Sequence, residues 1–83
     1  MAKYGGEANP GIDLILEFSG QEKWAIEIKR STVPALSKGF YQACETIRPD
    51  RKFVVYAGQD KFRLQEDVTA IPLAGLMEEL LKY

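Results

Sequence analysis

Eighty-three residues, 46% hydrophobic and 28% charged, describe one small globular domain and argue against a disordered tail. The absence of histidine, with Cys44 as the one cysteine, excludes His-based triads, His-ligated zinc and an internal disulfide. A net charge of −1 excludes a generic polyanion binder, so nucleic-acid contact requires a local basic patch.

The domain is expected to span 1–83 as a single unit. A chain of this size buries only about two thirds of its unfolded surface. Its apolar runs fall well short of the roughly 18 residues of a membrane helix. The N-terminus lacks a charged-then-apolar leader pattern, so a cytoplasmic location is expected, in keeping with the single free thiol.

In chain order, Met1–Tyr4 reads as the tail of a strand, and Gly5, Gly6, Asn9, Pro10 and Gly11 as turn chemistry. Ile12 to Phe18 alternates as a strand, with Ile12, Leu14, Leu16 and Phe18 on one face and Asp13, Ile15 and Glu17 on the other. Ser19–Glu22 turns the chain. A second strand over Lys23–Arg30 then presents Trp24, Ile26 and Ile28 on one face and Ala25, Glu27 and Lys29 on the other.

Thr32-Val33-Pro34 is expected to open a helix, with Pro34 at its first position. Leu36, Phe40, Ala43, Cys44 and Ile47 form its apolar stripe, and Arg48-Pro49 closes it. Gly39 inside that helix points to a close packing neighbour. Lys52–Ala57 is a β-branched and aromatic strand, expected to lie parallel to the one before the helix. Short strands at Lys61–Leu64 and Val68–Ile71 precede an amphipathic helix marked by Leu73, Leu76, Met77, Leu80 and Leu81. The expected fold class is α/β: a small mixed β-sheet with a crossover helix and a C-terminal helix.

The chemistry concentrates in the hairpin. Glu27 and Lys29 are two apart on a strand and leave the same face. Asp13 joins them only if paired positions sum to an even number, as with Asp13 opposite Glu27 or Lys29. That needs a turn with an odd number of residues, three or five, or a bulge. A slip by one residue sets Asp13 against Ile28 and ends the site. Where the three converge, a divalent cation relieves the repulsion of the two carboxylates, with the Ile28 backbone carbonyl between them. Only oxygen ligands are on offer, which favours Mg2+, Mn2+ or Ca2+. A plain cross-strand ion pair explains the same residues without any ligand.

Asp13, then Glu27-x-Lys29 on an apolar strand, resembles the PD-(D/E)XK nuclease core, and Ala25-Ile-Glu-Ile-Lys-Arg-Ser31 is especially similar. With Ser37-Lys-Gly39, Phe53–Gly58 and Val68–Leu73, the set resembles the domain of unknown function at the C-terminus of many prokaryotic AAA-type ATPases. The resemblance implies a restriction-endonuclease-like core lacking its first helix, detached from a longer protein. It implies metal-dependent phosphodiester hydrolysis on DNA, or an inactive module for DNA docking or assembly beside an ATPase. Asp13 and Glu27 would hold Mg2+ or Mn2+, and Lys29 would assist the nucleophile. Lys38, Gln42 and Arg30 would contact nucleic acid, with Gln42 or Lys38 completing the site. The missing helix leaves part of the sheet uncovered, so a homodimer is expected. Arg48, Arg51 and Lys52 read as helix-end or phosphate contacts, Trp24 as core or interface, and Cys44 as packing.

Overall fold

The computed structural model describes residues 2–5 and 11–82. The expected turn chemistry at Gly6–Pro10 lies outside them. The chain builds β1 (Ala2–Gly5), β2 (Leu14–Phe18), β3 (Lys23–Ile28), α1 (Lys38–Ile47), β4 (Arg51–Val55), β5 (Phe62–Arg63), β6 (Val68–Ile71) and α2 (Leu73–Leu81). The strands lie in one sheet in the order β1-β2-β3-β4-β6-β5. Pairing is antiparallel at β1–β2, β2–β3 and β5–β6, and parallel at β3–β4 and β4–β6. The mixed α/β class and the parallel strand after the crossover helix are both as expected.

Central strands read as nearly continuous apolar runs because both their faces are covered. One face packs Ile15, Ala25, Val54, Val68 and Ala70 against Phe40 and Cys44 of α1. The other packs Phe18, Trp24, Ile26, Phe53 and Ile71 against Leu76 of α2. Phe40 is fully buried and anchors α1, so its truncation to Ala is expected to cost about 3–5 kcal/mol. Trp24 is equally buried, tilted against Phe18 and Phe53, with the Arg51 guanidinium over it at 4.7 Å. It is core.

Two expectations are corrected. The first helix begins at Lys38, not at Pro34, with Ser37 as its N-cap. Ser37 is extended (φ −77°, ψ 155°), and its Oγ accepts the Phe40 N–H at 3.2 Å, supplying an end that Pro34 has no side chain to cap. Ile12 leaves the face of Leu14 and Leu16 and packs beside Ile15 under α1. The chain bends at Asp13, which breaks the two-residue alternation. At the other end of α1 the expectation holds: Arg48, barred from the right-handed region by Pro49, takes a left-handed conformation (φ 54°) and donates to the Cys44 carbonyl.

Candidate functional site

The hairpin register sets the geometry. Leu14 pairs with Ile26, Ile15 with Ala25, Leu16 with Trp24 and Glu17 with Lys23. Every pair sums to an even number, the parity that a shared face for Asp13 and Glu27 requires, and the ladder ends at Leu14–Ile26, just before the bend at Asp13. The turn is the three-residue Ser19-Gly20-Gln21, closed by the Phe18 N–H on the Glu22 carbonyl at 2.8 Å. Gly20 (φ 90°) and Gln21 (φ 71°) both take positive φ, which lets a three-residue loop reverse the chain.

Glu27 points to the α1 side, on the face of Ala25, and is 7% exposed. Its Oε1 accepts the Ser37 hydroxyl at 3.4 Å, while Lys29 Nζ stands 3.5 Å from Oε2. Oε2 is buried and has no hydrogen-bond partner among the described residues. The Lys29 approach is an ion pair without a hydrogen bond. A carboxylate withdrawn from water with one oxygen unsatisfied is costly to keep. Lys29 is held by its own backbone: its N–H donates to the Val55 carbonyl at 2.7 Å, continuing the parallel ladder past the end of β3.

Asp13 is exposed and bends toward the edge of β3, where its Oδ2 accepts the Ile28 N–H at 2.9 Å. A strand residue sends its N–H and C=O to the same edge, so the Ile28 carbonyl leaves on the side Asp13 occupies. Asp13, the Ile28 main chain and the Glu27–Lys29 pair therefore gather at one end of the β2–β3 ladder. Oxygen donors of this kind fit a hard divalent cation that keeps several of its waters, and the unsatisfied Glu27 Oε2 is the atom such an ion would satisfy. Among the described residues, no group of three His, Cys, Asp or Glu gathers as a metal cluster. Any ion held here relies on two carboxylates and a carbonyl.

Ser37 is the site residue that the sequence reading missed. The usable signal was a serine three residues ahead of the first fully buried helical residue, Phe40. Gly11 was read only as a turn residue. Its φ is +93°, and a Cβ there would lie 2.5 Å from the Gly39 backbone. This contact seats the chain entering Asp13 on the first turn of α1, so Asp13 and Ser37 are fixed relative to one another. At Gly39 itself a Cβ would meet only ordinary contacts, 3.7 Å from Gly11 and 3.8 Å from Ser37, so the close neighbour expected there does not demand a glycine at that position.

The remaining candidates stand elsewhere. Lys38 and Gln42 line a groove between α1 and the Gln65–Glu66 segment, and Arg30 is exposed in the loop after β3. Among the described residues, no hydrogen bond or ion pair joins these three to Asp13, Glu27 or Lys29. Arg51 is bound to Glu79 of α2 at 2.9 Å. Burial raises the pKa of the Cys44 thiol; Lys52 opposes this, and Glu27 and Glu66 add to it. Cys44 is a packing residue.

The family description "Domain of unknown function (DUF4143)" matches residues 4–76. The chain belongs to the DUF4143 family. Two curated proteins align with it at 33% identity over 75 residues: Uncharacterized protein Mb2031c from Mycobacterium bovis and Uncharacterized protein Rv2008c from Mycobacterium tuberculosis. Each alignment covers 84% of this chain and 17% of the relative, so the DUF4143 chain spans about a sixth of these longer proteins. No solved structure matches it. Among the described residues of this DUF4143 chain, no helix is long and apolar enough to cross a membrane.

Proposed function

We propose that this DUF4143 chain is a metal-dependent phosphodiester hydrolase domain of PD-(D/E)XK type acting on DNA, with Asp13, Glu27 and the Ile28 carbonyl as ligands for Mg2+ or Mn2+. The observation that supports the reading is the buried Glu27 Oε2, without a hydrogen-bond partner beside Lys29, together with Asp13 on the Ile28 N–H of the same strand. An ion bound there would polarise a phosphoryl oxygen and lower the pKa of its water. The chain's own residues do the rest. Ser37 orients the Glu27 carboxylate through Oε1, and the Ile28 N–H fixes Asp13 through Oδ2. Lys29, its ammonium free of any hydrogen bond to Glu27, donates to the attacking water or to the oxygen that gains charge.

The test is cleavage of single- and double-stranded DNA and RNA with Mg2+ or Mn2+, comparing wild type with Lys29→Ala and Asp13→Asn. Loss of cleavage in both variants supports the reading. Cleavage that survives both substitutions refutes it.

A second reading has its own support: an inactive module for assembly or DNA docking beside an ATPase, working as a homodimer. Leu73, Met77 and Leu81 recur on one side of α2 and are 62%, 55% and 85% exposed. Together with the short share of its relatives that the chain spans, that stripe favours a partner surface.

A further inference from the structure

The groove of about 530 Å³ between α1 and the tight turn Gln65–Asp67 has a lining that the hydrolytic reading does not use. Lys38, Tyr41, Gln42 and Glu45 line its α1 wall; Gln65 and Glu66 line the other. On α1 the four are spaced three and four apart, so they form one face of the helix. The opposite wall is conformationally unusual. Glu66 (φ 58°, ψ 35°) and Asp67 (φ 60°) are consecutive non-glycine residues in the left-handed region. Such strain persists only where surrounding structure imposes it, and it clusters at ligand clamps.

We infer that this groove binds the nucleobase of a nucleotide, preferring guanine, with Tyr41 as the ring surface, Gln42 and Gln65 as amide readers, and Glu66 as acceptor for base N–H groups. The residue types divide the work. An aromatic face stacks on any base. Glutamine amides donate and accept, and so read a base edge. A carboxylate only accepts, so it favours the adjacent N1–H and exocyclic amine of guanine and disfavours the carbonyl-rich edge of uracil or thymine. Lys38 supplies a cation for the phosphate.

The groove is tied to the candidate hydrolytic site through α1. Ser37 touches Glu27, and the next residue, Lys38, lines the groove. Tyr41 lies within electrostatic reach of both sides: burial first, then Glu66, Cys44 and Glu27, hold its hydroxyl above its ordinary pKa of 10.0. A strand bound at Asp13–Glu27 that follows α1 from Ser37 to Lys38 would bring an unpaired neighbouring base to the groove. Duplex bases are not free to enter it, so the substrate class is single-stranded or locally unpaired nucleic acid. This substrate assignment rests on the hydrolytic reading; the binding itself does not.

The test is a two-dimensional amide NMR titration of the full chain in EDTA with GMP, UMP and inorganic phosphate as separate probes. The expected result is saturable shifts at Tyr41, Gln42, Gln65 and Glu66 with GMP, about tenfold weaker binding of UMP, and no such pattern with phosphate. Glu66→Gly relieves the left-handed backbone and so keeps the fold. It is expected to weaken GMP at least to the level of UMP while leaving the melting temperature unchanged or higher. Equal GMP and UMP affinity, phosphate reproducing the GMP shifts, or unchanged GMP binding in Glu66→Gly would each overturn the inference. Because metal is excluded, a failure here leaves the Asp13–Glu27 reading standing, and loss of that reading leaves the groove's binding intact.

Discussion

Glu27 is buried with one carboxylate oxygen that has no hydrogen-bond partner among the described residues. Replacing it with Gln keeps the shape and removes a charge from a site 7% exposed with one unsatisfied oxygen. Urea unfolding of Glu27→Gln is expected to match wild type or gain about 1 kcal/mol, while divalent-metal binding is lost. A large destabilisation would instead mark Glu27 as a structural ion-pair partner of Lys29. Ser37→Ala removes both the α1 cap and the hydroxyl on Glu27, and is expected to lower stability by about 1 kcal/mol in the same assay. At this scale the sequence was legible where spacing decides the outcome. Glu27 and Lys29 share a face because they are two apart on a strand. Ser37 was hidden because its role depends on where α1 starts, and Pro34 offered a competing start signal that tertiary packing overrode.

Between elements, the contact of Gly11 with Gly39 holds the entry to β2 against the first turn of α1. Its two halves are unequal. A Cβ on Gly11 would meet the Gly39 backbone at 2.5 Å at a φ of +93°, whereas a Cβ on Gly39 would find its nearest atoms at 3.7 and 3.8 Å. Gly11→Ala is therefore expected to cost about 2–3 kcal/mol and Gly39→Ala to be neutral or stabilising by about 0.5 kcal/mol, measured by thermal unfolding. Equal effects would place the contact elsewhere. The β2–β3 hairpin, the parallel β4 beside β3 and the presence of both helices could be read from the sequence, whereas the pairing of β1, β5 and β6 was not legible there. The bend at Asp13 could not, because it arises when a side-chain carboxylate takes the Ile28 N–H that a regular ladder would give to a main-chain carbonyl.

Over the whole molecule, one carboxylate ties α2 to the sheet beside the apolar packing of Leu76. Glu79 is bound by Arg51 at 2.9 Å and approached by Lys61 and Lys82 at 3.5 and 3.4 Å. The Arg51 bond, with Lys61 and Lys82 adding to it against the opposing effect of burial, lowers its pKa from 4.5 to about 2. A depressed carboxyl stabilises the fold fully above its unfolded value and ceases to do so as the pH falls through its folded one. The Glu79 contribution is therefore present above about pH 4.5 and lost on the way down to about pH 2. Glu79→Gln is expected to flatten that acid limb in a series of melts and to lower stability at pH 7; an unchanged acid limb would show that other carboxylates control it. The Leu73, Met77 and Leu81 stripe belongs to this scale too. Met77→Glu is expected to abolish any concentration-dependent self-association in sedimentation without unfolding the chain, because Met77 is 55% exposed.

The central claim is that the end of the β2–β3 hairpin holds a divalent ion, and Mn2+ reports it without requiring turnover. Paramagnetic broadening of amide resonances during a Mn2+ titration is expected to reach Asp13, Ile28, Lys29 and Ser37 first, and to disappear from these positions in Asp13→Asn and Glu27→Gln. Broadening that centres elsewhere, or that persists at these residues in both variants, would contradict the account.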